Sequence, residues 1–292
     1  ENLERATAVM YNLLSAETDD NLEELASELA PKLSEHSNNI MLNEKLFARV
    51  KAVYDAETNK LEGEDKMLLD KTYEGFERSG ATLSDEDKQR FREITAQLSE
   101  KTLKFSQNVL KETNNFVLHI TDDKDLVGIP EIHRNAAHHE AEARQLEGWV
   151  FTLHAPSFMP FMMYAENREF REKIYRAYNS RCTHNNEYNN FEIVRSIVNL
   201  RREVAQILGY KDYADYALRR RMAQNAKNVY QLLNDLIDHY LDRAKQDVAE
   251  VEKKAQQIEG ADFKLQPWDF SYYSQKLKHE LYDYDPDMLR PY

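Results

Sequence analysis

GWVFTLHAPSFMPFMMYAENREFREKIYRAYNSR, residues 148–181, decides the fold class of this 292-residue chain. Trp149 to Leu153 form a β-prone run, Pro156 and Pro160 break it, and Phe170, Ile174 and Tyr178 then recur at the four-residue spacing of a helix. Aromatics, methionines, His154 and several arginines crowd into this joint, which gives it the outward look of an active site. On both sides of it the pattern is helical.

Upstream, Leu3, Ala6, Met10 and Leu13 predict a first helix. Asp19 or Asp20 caps a second, expected to stop before Pro31. Asn43 caps a third, with Leu46, Phe47, Val50, Val53 and Tyr54 as its inward stripe. A fourth carries Leu68, Leu69, Tyr73 and Phe76 and ends at Gly80. Ser84-x-x-Asp87 resembles a capping box, after which Phe91, Ile94, Leu98, Phe105 and Val109 predict a helix of about thirty residues. It leads to a second β-prone run at Asn115–Ile120. This run is expected to pair with 149–154 across an Ala-, His- and Glu-rich helix, with helices covering one face, since an isolated strand pair is marginal.

Downstream, Phe191 to Leu208 predict a helix closed by Gly209, and Asp212 caps a short one. Asn225 opens the longest, from Val229 to Ile258, closed by Gly260. A last helix spans Phe270 to Tyr282, and the tail from Asp285 to Tyr292 carries no structural signal. The expected class is mainly α, a multi-helix array with one small β pair at about 115–120 and 149–154. The expected division is 1–114, a helical array, and 115–292, the β pair with the helices that follow.

Composition agrees. Glycine and proline number seven each, against typical usage of about 7% and 5%, and long proline-free intervals favour helix. The net charge of −13 repels a phosphate backbone and argues against nucleic acid as partner; Arg219, Arg220 and Arg221 are a local exception read as a solvated or internally paired face. No apolar run reaches the ~18 residues of a membrane span. One cysteine, Cys182, and no Asn-x-Ser/Thr sequon lean toward a reducing compartment. The expectation is therefore cytoplasmic; because the chain begins at Glu1 without Met, a periplasmic location after leader removal is the second option.

A zincin requires His-Glu-x-x-His on a helix, because residues four apart share a face and reach one zinc together. His139-Glu140-Ala141-Glu142-Ala143 places Ala at the second ligand position, and His279-Glu280-Leu281-Tyr282-Asp283 places Asp there. Neither completes the motif. His133, His138 and His139 read as a surface cluster. His154 ends a strand at a proline turn with no partner signalled, and nothing specifies a Ser-His-Asp or Cys-His arrangement. Arg181 and His184 beside Cys182 would lower its thiol pKa, although a structural thiol is the preferred reading. Phe158, Met159, Phe161, Met162 and Met163 read as a soft apolar loop, lining a peptide cleft or packing on the β pair. Taken alone, the residues describe a large helical structure with no complete catalytic constellation.

The order of segments is more specific. Phe116–Ile120, Leu126–Glu131, Trp149–Leu153, Pro156-Ser157-Phe158, Asn167-Arg168 and Arg171-Glu172 resemble the thimet oligopeptidase family of zinc metallopeptidases. So do Leu200–Ala205, Leu208-Gly209-Tyr210, Tyr213-Ala214-Asp215, Arg221-Met222-Ala223 and Trp268-Asp269-x-x-Tyr272-Tyr273. Within that family the likeness is to bacterial peptidyl-dipeptidases and oligopeptidase A, over the amino-terminal and middle portions only.

The resemblance implies a zincin-type parent that hydrolyses short peptides, as peptidyl-dipeptidase or oligoendopeptidase, with zinc held farther toward the carboxyl end than this chain reaches. On that reading the chain is a non-catalytic fragment, binding no zinc itself. It forms a wall of the substrate channel and is partnered by the missing catalytic portion of the same polypeptide. Arg168, Arg171, Trp268, Asp269, Tyr272 and Tyr273 are signature residues expected to be structural, and His154, Phe158 and Met162 are channel-lining candidates. The opening stretch becomes the joint that sets the β pair against the channel wall. The alternative is a complete, non-catalytic helical peptide-binding or scaffold protein.

Overall fold

The helix caps read from sequence are made in a computed structural model, which describes residues 1–283. Asp19 accepts from the Leu22 amide at 2.7 Å, Asn43 from Leu46 at 2.9 Å, Ser84 from Asp87 at 3.1 Å, Asp212 from Asp215 at 2.8 Å and Asn225 from Asn228 at 3.0 Å. Each satisfies an amide that the first helical turn leaves without a partner. The expectation for the tail, Asp285 to Tyr292, lies outside the described residues.

The elements run α1 (Asn2–Ala16), α2 (Asp20–Met41), α3 (Glu44–Glu57), α4 (Gly63–Arg78), α5 (Asp85–Asn115), β1 (Leu118–Ile120), a 3-10 turn (Asp123–Leu126), α6 (Glu131–Ala143) and β2 (Trp149–Phe151). They continue as α7 (Ala155–Tyr164), α8 (Arg168–Asn179), α9 (Phe191–Ile207), α10 (Tyr213–Leu218), α11 (Ala226–Glu259) and α12 (Phe270–Tyr282). The chain is mainly α, with one antiparallel strand pair among the described residues.

Two compact units are formed, each from two separate stretches: 1–108 with 190–229, and 109–189 with 230–292. The division expected from sequence, 1–114 and 115–292, marks where the helical array meets the β pair, which is a different matter from these compact units. The core of the first unit gathers Leu42, Phe91, Ile94, Leu200 and Val204. Arg90 of α5 grips Glu203 of α9 through Nε at 2.6 Å and Nη2 at 2.9 Å.

The second unit is built on the strand pair, in the register Leu118↔Phe151, His119↔Val150 and Ile120↔Trp149. Two strands alone bury too little to be stable, and here Leu118, Ile120, Phe151 and Leu153 pack with Ile129, Ala137, Phe161 and Ile174 from the following turn and helices. Gly148 permits the strands to close: its φ is +93°, and a Cβ would stand 2.3 Å from the Ile120 carbonyl oxygen.

Four sequence expectations are corrected. α2 does not stop before Pro31 but carries it inside the helix. The lost amide is outweighed by tertiary contacts on both sides of it: Ala26 and Ala30 are buried, Asn38 donates to Thr95 at 2.7 Å, and Gln107 donates to the Glu23 carbonyl at 3.2 Å. The apolar run after Pro156 is not a loop but α7. Pro156 lies in the first turn, where an amide is dispensable, and Pro160 forfeits one further bond. The stripe assigned to α3 is only partly inward, because Val53 is 51% exposed and Leu46 38%, while Phe47 and Tyr54 stack on Tyr73 at 5.8 and 4.0 Å. His133 is not a surface residue: it is buried and lies 6.0 Å from the Tyr164 ring. The Ala-rich face of α6 turns inward, and His133 shares it with Ala137 and Ala141.

Candidate functional site

The densest polar arrangement of the second unit lies where α7 ends, α8 begins and α12 starts. Asn167 accepts from the Phe170 amide at 3.1 Å and so opens α8 immediately after α7 closes. This tight succession places Arg168 and Arg171 on the first turn of α8, one helical turn apart. Asp269, immediately before α12 and 0% exposed, meets both. Arg168 donates to it through Nε at 3.0 and 3.2 Å and Nη2 at 2.7 Å, and Arg171 donates through Nη2 at 3.0 Å.

Arg171, itself 1% exposed, sends its other terminal nitrogen to the carbonyls of Ala165 at 2.7 Å and Glu166 at 3.0 Å. These carbonyls follow the end of α7, where backbone acceptors lack partners and the helix dipole favours a cation. One guanidinium therefore joins the exit of α7, the first turn of α8 and the entry of α12.

Burial alone would raise the Asp269 carboxyl, but the hydrogen bonds from Arg168 and Arg171, with that of the Gln266 amide, outweigh it and hold the group below its ordinary range. The hydrogen bond to Asp269 holds the Arg168 guanidinium above its own. Burial, reinforced by its bond to Glu259 at 2.9 Å, raises the Tyr273 phenol. The Arg171 guanidinium carbon lies 4.1 Å from the Tyr272 ring centre, and that of Arg176 lies 4.7 Å from Trp268. Five of the six signature residues, Arg168, Arg171, Asp269, Tyr272 and Tyr273, thus meet in one knot, while Trp268 beside them in the chain turns to Arg176 and Tyr175. The carboxylate of the knot is saturated by donors, which suits it to hold elements in place rather than to attack or to exchange protons with a substrate.

The channel-lining candidates differ in their surroundings. Met162 is 4% exposed inside the core, and Phe158 is half-buried and stacked on Tyr178 at 4.2 Å. His154 is exposed and borders a cleft of about 220 Å³ with His133, Glu140, Thr152 and Ser157. A larger cleft, about 400 Å³, is lined by Tyr164, Lys254, Tyr272, Gln275, Lys276 and His279, so it shares Tyr272 with the knot.

The Cys182 thiol is raised to about 11, by burial and then by the Glu112 carboxylate, which accepts from the Cys182 amide. Arg181 lowers it too little to compensate, so the lowered pKa that its neighbours suggested is overturned. Glu112 carried no sequence signal, lying 70 residues from Cys182. The near-miss zinc motifs form local pairs on exposed surface: His139 meets Glu142 at 3.0 Å, and His279 approaches Asp283 at 3.8 Å. Among the described residues no three His, Cys, Asp or Glu side chains converge so as to hold a metal ion.

Comparison with known proteins bears on the whole chain. The profile of Peptidase family M3 matches residues 161–292. Oligopeptidase A of Escherichia coli is 35% identical over 99% of this chain and 43% of its own length. Probable cytosolic oligopeptidase A of Arabidopsis thaliana is 31% identical over 97% of this chain and 42% of its length. The dipeptidyl carboxypeptidase of Escherichia coli is 28% identical over 100% and 43%. The chain spans less than half the length of the relatives it matches. With similarity that runs through both compact units, and with the knot of Arg168, Arg171 and Asp269 inside the matched region, this chain belongs to peptidase family M3.

Proposed function

We propose that the chain is part of a zinc-dependent oligopeptidase that hydrolyses short peptides, and that residues 1–292 form a wall of its substrate channel without performing the chemistry. The carrying observation is similarity to oligopeptidase A over nearly every residue of this chain, combined with a sequence in which neither near-miss motif completes His-Glu-x-x-His. Zinc would supply the polarisation and water activation of peptide hydrolysis in the whole protein. No residue of this chain is assigned to the metal. The likeness to a dipeptidyl carboxypeptidase keeps peptidyl-dipeptidase specificity beside endopeptidase specificity, and the likeness to the probable cytosolic oligopeptidase A of Arabidopsis favours the cytoplasm.

On this reading 1–114 and 115–292 are successive portions of the parent, the second leading toward its catalytic region. The saturated knot at Asp269 keeps α7, α8 and α12 in fixed relation, the rigid support a channel wall needs. The test is hydrolysis of a short internally quenched peptide in the presence of zinc. The purified 292-residue chain is expected to be inactive, and the product of the whole natural gene active and silenced by a chelator. Zinc-dependent cleavage by the 292-residue chain would overturn the non-catalytic assignment, and an inert whole product would overturn the enzymatic one.

A further inference from the structure

α11 carries one apolar face that is covered at one end and open at the other. At 100° per residue, positions 230, 233, 237, 240, 241, 244, 248, 251 and 255 fall within roughly 100° of each other. Val251 is 4% exposed and Ala255 0%, sealed by Tyr272 and Tyr273 of α12 with Phe263, Leu265 and Leu277. Along the same face Tyr230 is 66% exposed, Leu233 47%, Ile237 52%, Tyr240 65%, Leu241 47% and Val248 47%. The open part is about 27 Å long at 1.5 Å per residue.

Its six large side chains leave roughly 600 Å² uncovered, at the top of the ~300–600 Å² of a monomer's largest apolar patch. A standard interface between separate proteins buries ~800 Å² per partner, so this face alone falls short of a stable dimer. It is the size of an intramolecular seat, continuous with the core that α11 and α12 already share. Sequence to fill it exists in the family, since oligopeptidase A is more than twice the length matched here.

We infer that the open face of α11 from Tyr230 to Val248 is the seat of a further apolar segment of the same polypeptide, lying outside residues 1–292 and extending the cover that α12 begins. Ala244 on the same face leaves room for close approach of a helix. The inference rests on the reading of the chain as part of a longer M3 protein.

The test uses the whole natural gene product with its other reactive thiols replaced. Single cysteines are placed on the face (Ile237→Cys, and Leu233→Cys as a second position) and on the opposite side (Asp235→Cys), and maleimide labelling is timed after circular dichroism confirms folding. Labelling at 237 and 233 is expected to be at least roughly a hundredfold slower than at 235 in the whole protein, and comparably fast at all three in the 292-residue chain. Equal rates in the whole protein would overturn the inference. So would protection that rises with concentration, which marks a second copy as the occupant, or a gene that encodes no further sequence. Zinc-dependent cleavage measured on the same samples separates the two proposals: activity with an open Ile237 defeats only the seat, and protection without activity defeats only the enzymatic reading.

Discussion

Replacing Asp269 by Asn keeps the shape of the side chain and removes its charge, and its cost follows from what that charge neutralises. Arg171 is 1% exposed and Asp269 0%. After the change the buried guanidinium keeps two carbonyl acceptors but loses its counter-charge, and the new amide nitrogen faces an arginine donor. Removing one partner of a buried ion pair costs about 3–5 kcal/mol. At about 2–4 °C per kcal/mol for domains of 150–250 residues, the midpoint should fall by about 6–20 °C. Arg168→Ala is the internal comparison. Its side chain is 43% exposed, and exposed pairs contribute about 0–1 kcal/mol.

Acid titration adds an independent check. The folded-state pKa of Asp269 is depressed, so its contribution is complete above the unfolded value near ~3.9 and is lost as pH falls through the folded value. Urea denaturation followed by circular dichroism should show wild type and Asp269→Asn separated by a constant gap above about pH 5 that closes in more acid solution. A gap under about 1 kcal/mol at neutral pH, or one that widens on acidification, would refute the reasoning.

Gly128 has φ +87° and Gly63 φ +59°, but a Cβ at Gly128 would lie 2.3 Å from the Tyr164 carbonyl oxygen, whereas at Gly63 it meets nothing within 4 Å. Gly128→Ala should therefore cost well over the ~1 kcal/mol of left-handed strain expected for Gly63→Ala, and equal losses by urea titration would contradict the close approach. Pro31→Ala should stabilise by about 1–3 kcal/mol, because it restores an amide to the middle of α2; thermal unfolding reads the sign. Buried at 4% exposure and with its pKa raised to about 11, the Cys182 thiol should react with a maleimide at pH 8 only as fast as the protein opens, and labelling as quick as that of a free thiol would show the site to be exposed.

Local signals specify local structure here and leave long-range structure open. Asp19, Asn43, Ser84, Asp212 and Asn225 cap the helices they were expected to cap, since capping chemistry acts over three residues. Pro31 misled because the contacts that carry α2 past it come from Thr95 and Gln107, far along the chain. The methionine-rich run after His154 has the local signature of a loop because it carries two prolines, yet one of them stands in the first turn of α7. The signature residues were legible only as a resemblance. No spacing rule joins Arg171 to Asp269, which are 98 residues apart, and Glu112 and Glu259 complete their contacts with no local mark at all.

That separation has a consequence on the ribosome. At about 5–20 residues per second, the 98 residues between Arg171 and Asp269 take about 5–20 s to synthesise. Throughout that interval α7 and α8 can form, but the guanidinium meant for the interior has only two carbonyls to hold it. The second unit is therefore expected to consolidate late, and nascent chains stalled before Asp269 should be open to proteases and dependent on chaperones, whereas chains released after α12 should resist digestion.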